Sequence, residues 1–200
     1  MHGTTLMLTG GIIAVGGFTL VWLIDGASRP GYRPSYHPIS ALSLGPRGWV
    51  QVTSSLVTGA LLVIFAIGAH AAGAGLTVSI LLGVAGLGLT GAGVFPMDPM
   101  RGYPPGAIDG DPPEQSVRHR LHDLASIAVF LAVPAAATVS GITGAGAWRW
   151  YSLVSAAAGL LLLGWFITAY GKDTTRAGLI QRVMVTSNWT WVALLGLRLL

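Results

Sequence analysis

The stretch AGLTVSILLGVAGLGLTGAGVFP, residues 74–96, contains no charged side chain and ends at a proline. About 20 consecutive apolar residues are enough for an α-helix to cross the hydrocarbon core of a membrane. Similar runs lie on both sides of it, so the sequence predicts an all-α, integral membrane bundle of six transmembrane helices. The predicted spans lie near residues 5–24, 50–71, 74–96, 121–142, 150–170 and 180–198.

The composition independently predicts a membrane protein. Hydrophobic residues make up 52% of the chain, charged residues 9%, and the mean hydropathy is +0.68. So few polar side chains cannot solvate a soluble domain of 200 residues. Because the spans use most of the length, we expect residues 1–200 to form a single transmembrane domain. The first span lacks a positive leader and a small-residue cleavage site, which predicts a retained anchor and not a signal peptide.

Composition also excludes several kinds of site. Cysteine is absent, so disulfides, thiolate metal sites and cysteine nucleophiles are excluded. The net charge is +4, but no basic cluster is dense enough to neutralise a phosphate backbone, so we expect no nucleic-acid partner. The expected partners are the lipid bilayer and a lipid or isoprenoid substrate.

Ionisable residues collect at one end of the predicted bundle. If the helices alternate in direction, the segments 25–48, 97–123 and 171–182 share one face, which we call the polar mouth. They hold all seven carboxylates and every Lys and Arg except Arg149 and Arg198. Ionisable groups in or beside a membrane are costly and therefore usually functional. Since Lys and Arg near span ends favour the cytoplasmic side, we expect a cytoplasmic polar mouth in the cell membrane, although arginines that bind an anion would bias this count equally.

The connection between the first two spans has an unusual composition. Several Pro and Gly residues break helical structure within residues 25–48, yet Tyr32 and Ile39 make the segment apolar for a solvated loop. Irregular backbone at membrane depth is tolerated where it is buried in protein or lines a wet cavity. We therefore expect this connection to fold onto the mouth and build a pocket, with Ser40 and His37 as candidate catalytic residues.

The sequence RHRLHD, residues 118–123, opens the fourth predicted span. His119, His122 and Asp123 are spaced so that all three lie on one helix face. This spacing suits a histidine beside a carboxylate, or a polar helix start with Asp123 at the positive end of the helix dipole. We expect no cofactor, although a metal at His119 and His122 is an alternative with no clear third ligand. Asp98, flanked by two prolines, is a further candidate.

Several motifs together resemble one family. Asp25 closes the first span, HPIS and LGPRGW lie within residues 37–49, FPMDP occupies 95–99, HRLHD occupies 119–123, and QR occupies 181–182. Over nearly the whole chain this pattern resembles the bacterial multispanning family known as domain of unknown function 998. The resemblance implies a membrane fold and supplies no reaction.

That family is in turn distantly similar to the androgen-induced-protein group of six-helix membrane proteins. The group includes threonine- and histidine-dependent lipid-ester hydrolases, so the similarity implies lipid hydrolysis with His122 as the histidine. The nucleophilic threonine has no clear counterpart in this chain. Ser40 or Ser43 would have to take its place.

Three functions stay open from the sequence. The first is ester hydrolysis, with Ser40 as nucleophile, His122 as general base, and Asp123 or Asp25 orienting the histidine. The second is an isoprenoid cyclase or lyase, in which buried Asp25, Asp98 or Asp123 acts as general acid. The third is a non-catalytic lipid or proton transporter or an accessory subunit. The candidate substrate-binding residues, mostly cationic, are Arg29, Arg33, Arg47, Arg182, Tyr32 and His119.

Two geometric expectations follow. If the mouth is one reaction site, His37, His122, Asp25 and Asp98 should converge on a common cavity. Arg182 lies about one turn inside the last span, where an unpaired charge is costly, so we expect a carboxylate partner for its guanidinium.

Overall fold

The structure is a computed structural model that describes residues 2–200, and this part of the chain forms six α-helices and no β-strand. The predicted all-α class is confirmed. The helices are α1 (His2–Ala27), α2 (Gly48–Ala71), α3 (Leu76–Val94), α4 (Val117–Thr143), α5 (Gly146–Gly171) and α6 (Ala177–Leu199). A short 3₁₀ helix, Ile39–Ser43, interrupts the first connection.

Within residues 2–200, five helices, α1 to α5, are long and apolar enough to cross a membrane. This confirms a multi-pass membrane architecture. The sixth helix has the length but is less apolar, because Gln181, Arg182 and Asn188 lie inside it.

The helices form a closed ring. Each helix packs against the next in the chain, and α6 packs against α1. The connections 28–47, 95–116 and 172–176 meet at one end, since Arg29 contacts Tyr103 and Arg101 contacts Asp173. The 3₁₀ helix lies at this end against α1, α2 and α6. The polar mouth is therefore a folded cap over the ring.

Glycines bring α3 close to both neighbours. A β-carbon at Gly86 would lie 2.7 Å from the carbonyl oxygen of Gly59 in α2, and one at Gly88 would lie 2.7 Å from that of Ala125 in α4. Small residues allow such close approach of membrane helices. This packing fixes the end of α3 beside the first turns of α4, where the candidate site lies.

The fourth helix begins earlier than the predicted span. It starts at Val117 because the Ser116 hydroxyl accepts the backbone N–H of His119 at 3.1 Å and caps the helix. His119 and His122 therefore both lie in regular helix, one turn apart.

Candidate functional site

Asp25 is buried at the end of α1 between two arginines. Arg29 donates to its Oδ2 from Nε at 2.9 Å and from Nη2 at 2.5 Å, and Arg47 donates to its Oδ1 at 2.5 Å. Arg29 also donates to the backbone oxygens of Leu44 and Arg47 and to the phenolic oxygen of Tyr103. This Asp25 cluster ties α1 to both long connections. The carboxylate is therefore held as an ion pair.

Arg182 is buried in α6 without the expected carboxylate. Within residues 2–200 its guanidinium donates to neutral oxygens, namely the carbonyls of Pro34, His37 and Gly178 and the phenolic oxygen of Tyr32. The expected pairing with an acidic residue is therefore wrong. The physical reason is that the first connection folds over the start of α6 and presents its own carbonyl groups to the cation.

His37 has both ring nitrogens occupied. The backbone N–H of Arg33 donates to Nδ1 at 2.9 Å, so Nε2 carries the proton and donates to the carbonyl oxygen of Arg101 at 3.0 Å. Burial lowers the pKa of His37, and nearby arginines act in the same direction. Burial also raises the pKa of Tyr32 to about 12, and Tyr32 donates to the carbonyl of Pro38 at 3.0 Å. Both side chains join parts of the cap.

Asp98 and His119 form a second polar group at the start of α4. The backbone N–H and the hydroxyl of Ser116 donate to the Asp98 carboxylate at 2.8 and 2.7 Å. Partial burial opposes ionisation, but these hydrogen bonds and His119 outweigh it and hold the pKa of Asp98 below its usual value. His119 Nδ1 lies 3.4 Å from Asp98 Oδ2, and its Nε2 lies 3.6 Å from Asp123 Oδ1.

The described residues, 2–200, contain no group of three or more His, Cys, Asp or Glu side chains that could hold a metal ion. The ring of His119 faces two carboxylates, whereas the ring of His122 faces backbone carbonyls of α3. The two histidines therefore do not share a ligand position.

Arg101 is a residue that the sequence reasoning missed. It is buried, pairs with Asp111 at 2.6 Å and Asp173 at 3.3 Å, and stacks over the ring of Tyr170 at 3.7 Å. The feature of the sequence that could have identified Arg101 is that it is the one cation in the acidic connection 95–116. By contrast, Arg33 is an exposed candidate that lies over the ring of Tyr36.

A cavity of ≈ 60 Å³ lies inside the ring beneath the 3₁₀ helix. A water molecule needs at least about 10–15 Å³ of such volume, so the cavity has room for a few water-sized groups. Of its lining residues, Gln51 and Gln181 lie within the first turns of α2 and α6, near the cap, whereas Phe130 and Trp189 lie about three turns into α4 and α6. It is lined by Phe18, Ile39, Ser40, Ser43, Gln51, Ser55, Leu89, Ala92, Gly93, His122, Ser126, Val129, Phe130, Gln181, Val185 and Trp189.

His122 and Ser126 form a dyad in this cavity. The Nδ1 of His122 lies 2.8 Å from the carbonyl oxygen of Phe95 and 3.1 Å from that of Ala92. Two acceptors on Nδ1 place the proton there, so Nε2 is the free acceptor. The Ser126 hydroxyl lies 3.3 Å from Nε2, one helical turn along the same face. The Ser126 hydroxyl, the His122 ring and the two carbonyls that orient this ring are therefore hydrogen-bonded in series.

Two polar atoms on other lining residues lack a hydrogen-bond partner in the part of the chain that the structure describes. Among the described residues, Gln51 Oε1 and Trp189 Nε1 are buried without a hydrogen-bond partner. Buried polar groups are nearly always paired, and an exception requires an explanation such as a bound molecule. The lining thus offers an unsatisfied acceptor and an unsatisfied donor.

The cavity brings together two of the predicted catalytic residues, His122 and Ser40. The Ser40 hydroxyl faces Met97 Sδ at 3.3 Å, and no contact with His122 is recorded in the described chain. The expected convergence on one void is wrong, because His37, Asp25 and Asp98 are turned to partners in the cap and do not line the cavity. Ser126 was not among the predicted residues, although its position four residues after His122 places the two side chains on the same helix face. Most of the predicted substrate-binding residues hold the connections together instead, namely Arg29, Arg47, Arg182, Tyr32 and His119.

Comparison with known proteins identifies the family to which the chain belongs. No curated protein and no solved structure matches the chain, and the distant similarity to the androgen-induced-protein group is not borne out. The family model described as protein of unknown function (DUF998) matches residues 12–198. That range runs from the third turn of α1 to the last turn of α6 and includes the whole cap and the dyad. The chain therefore belongs to the DUF998 family of multispanning helical proteins.

Proposed function

We propose that this protein is a membrane-embedded hydrolase of a lipid ester, with Ser126 as nucleophile and His122 as general base. The observation that carries the proposal is the Ser126 hydroxyl beside the free Nε2 of a histidine whose Nδ1 is anchored on two backbone carbonyls. Nucleophilic catalysis needs a hydroxyl, a base, and a third group that orients the base. The 3.3 Å separation is slightly longer than the usual range of about 2.6–3.2 Å and matches the looser geometry common before substrate binds.

The reaction would run in two steps. Ser126 Oγ attacks the ester carbonyl carbon while its proton passes to His122 Nε2, and His122 then gives this proton to the departing alkoxide. Water then attacks the acyl carbon of the acyl-serine ester and loses a proton to His122 Nε2. His122 returns this proton to Ser126 Oγ as the bond between the acyl carbon and Oγ breaks, which releases the acid and restores the serine. Proton transfer by a positioned base contributes about 10²–10⁴-fold to such rates.

The end of α3 would replace the aspartate of a serine–histidine–aspartate triad. The Ala92 carbonyl belongs to the last turn of α3, where backbone oxygens lack partners within the helix and carry the negative end of the helix dipole, and Phe95 is the residue directly after this helix. The two carbonyls fix the ring and favour the imidazolium that forms when Ser126 is deprotonated. Asp123 is then not needed as the orienting group.

The cavity supports a substrate that is polar at one end and apolar at the other. Its serines and glutamines lie toward the cap, and Phe130 and Trp189 lie deeper. A volume of ≈ 60 Å³ accepts the ester group and a short apolar segment, so the rest of a lipid or isoprenoid ester has to extend beyond the cavity. Gln51 and Trp189 would supply its polar contacts.

The proposal also includes an orientation in the membrane and a comparison with the two alternative functions. The arginine-rich cap supports a cytoplasmic polar mouth in the cell membrane, since Lys and Arg favour that side. The cyclase alternative has less support, because Asp25, Asp98 and Asp123 are absent from the cavity lining in the described chain. A non-catalytic lipid or proton carrier would use the same His122 without a reactive serine.

Labelling with a fluorophosphonate probe tests the proposal, since the probe reacts with activated serines. The protein purified in detergent should label, Ser126→Ala should abolish labelling, and His122→Gln should lower it at least 10-fold. The matched controls are Ser40→Ala and Ser55→Ala, which alter serines lining the same cavity and should label normally.

Each alternative gives a different result. Loss of labelling in Ser40→Ala with full labelling of Ser126→Ala would return the role of nucleophile to Ser40. A folded native protein that does not label, and that cleaves no ester of glycerol or of an isoprenoid alcohol, would contradict hydrolysis and favour a carrier.

A further inference from the structure

The outer face of α6 lines a groove that is separate from the interior cavity. The groove runs between α1 and α5, and its volume is ≈ 560 Å³, within the range of about 300–1,000 Å³ for small-molecule sites. Helix α6 is the wall between the two spaces, with Gln181 and Trp189 facing the cavity and Arg182 and Thr186 facing the groove. A ligand in the groove would therefore occupy space that the proposed catalysis does not use.

Arg182 lies at the polar-mouth end of this groove with an uncompensated charge. Arg182 is 7% exposed, and within residues 2–200 its partners are carbonyl oxygens, the Tyr32 hydroxyl and the faces of the Trp22 and Tyr32 rings. These groups carry partial charges, so the formal positive charge has no counter-ion. A buried charge without a counter-ion is costly, and a bound anion would relieve that cost.

Trp22 provides an independent second feature at the same end. It lines the groove, is 3% exposed, and its ring centre lies 5.4 Å from the guanidinium carbon of Arg182. Its indole Nε1 has no hydrogen-bond partner in the described part of the chain. One anionic oxygen ligand would satisfy both a buried indole N–H without a hydrogen-bond partner and a neighbouring buried cation without a counter-ion.

The shape of the groove indicates which kind of molecule would place an anionic group at Arg182. It continues from Arg182 past Thr186 to Thr190 and is bordered by Ala158 and Tyr151 of α5. Eight residues of helix at about 1.5 Å each give a length of about 12 Å parallel to the helix axis. This is the direction in which an acyl chain lies in a bilayer, with the anion at the mouth end.

We propose that the groove binds one anionic phospholipid, with its phosphate at Arg182 and Trp22 and one acyl chain along α6 toward Thr190. A lipid with zwitterionic choline brings its own cation and should compensate Arg182 less well. The proposal does not depend on hydrolysis at Ser126, and the two are tested separately.

Native mass spectrometry of the delipidated protein in detergent tests the site. We expect phosphatidylglycerol to bind at least 10-fold more tightly than phosphatidylcholine with the same acyl chains. Thr186→Phe fills the groove from α6 and should weaken phosphatidylglycerol binding at least 10-fold, as should Ala158→Phe from α5. The matched control is Ile80→Phe, which adds the same ring at an exposed position of α3 and should leave the affinity unchanged.

Arg182→Gln should remove the preference for the anionic lipid, but Arg182 also holds the cap, so the groove-filling variants are the primary test. Equal affinity for both lipids, or an unchanged affinity in folded Thr186→Phe, would overturn the proposal. Displacement of the lipid by equimolar inorganic phosphate would assign the anion site to free phosphate. Conversion of a dimer to a monomer by Thr186→Phe, without a change in lipid binding, would assign the groove to a second copy of the chain.

Discussion

Replacing Asp25 by Asn separates a structural role from a catalytic one at the polar mouth. The Asp25 side chain is 4% exposed and that of Arg29 is 3% exposed, so Asp25→Asn leaves a buried arginine without its counter-ion. Breaking a buried pair in this way costs about 3–5 kcal/mol. At roughly 2–4 °C per kcal/mol for a protein of about this size, the midpoint of thermal unfolding should fall by about 6–20 °C.

The Arg47 side chain supplies the internal comparison. It contacts the same carboxylate at 2.5 Å but is 48% exposed, so Arg47→Gln should cost less than about 1 kcal/mol. The midpoints can be followed by circular dichroism in detergent. The double variant Asp25→Asn with Arg29→Gln should be more stable than the sum of the single losses predicts, because it removes the buried charge together with its partner.

Two results would refute this reasoning. Equal midpoints for Asp25→Asn and Arg47→Gln would show that the buried pair is not the stabilising contact. Loss of fluorophosphonate labelling in Asp25→Asn well below its midpoint would make Asp25 a catalytic group.

Two further predictions concern pH and packing. Burial depresses the pKa of His37 in the folded state, so the contribution of His37 to stability is present above its unfolded pKa of about 6.5 and is lost as the pH falls below that value. The midpoint of thermal unfolding should therefore decrease when the pH is lowered below about 6.5. A midpoint drop of the same size in His37→Gln would contradict the assignment to His37. Gly88→Ala places a methyl group 2.7 Å from the Ala125 carbonyl oxygen and should lower the free energy of unfolding by about 1–3 kcal/mol. In the control Gly164→Ala the methyl group meets no atom within 4 Å, so this variant should be neutral or slightly stabilising. Equal midpoints for the two variants would argue against the close contact of α3 with α4.

The fold could be predicted because membrane helices follow from local composition. The uncharged run 74–96 and its neighbours gave all six helices, and the one-sided distribution of charge predicted that the long connections meet at one end. The ends of the helices were less accurate. The early start of α4 depends on Ser116 accepting a backbone N–H, a contact that hydropathy does not register.

The candidate site was harder to predict because charge has two uses at a membrane surface. Asp25, Asp98 and His37 looked catalytic since they are ionisable, but such groups also join a cap of irregular backbone, where carbonyl and N–H groups need partners. Arg182 illustrates the problem most directly. Its partners come from Pro34 and His37, about 145 residues earlier in the chain, and no sequence spacing indicates which carbonyls will face it.

The side-chain hydroxyl on the second ring nitrogen of His122 distinguishes the proposed site from the cap. The buried ionisable groups of the cap bind side chains and backbone groups of the connections, so protonating or removing one of them should first loosen the connections. His122 differs because its partners, the carbonyls of Ala92 and Phe95, occupy one nitrogen and leave the other facing a cavity with Ser126. His37, by contrast, has both ring nitrogens bound to backbone groups of the connections. The contact of His122 Nε2 with the Ser126 hydroxyl, one turn below the charged surface, is therefore the feature on which the proposed hydrolysis depends.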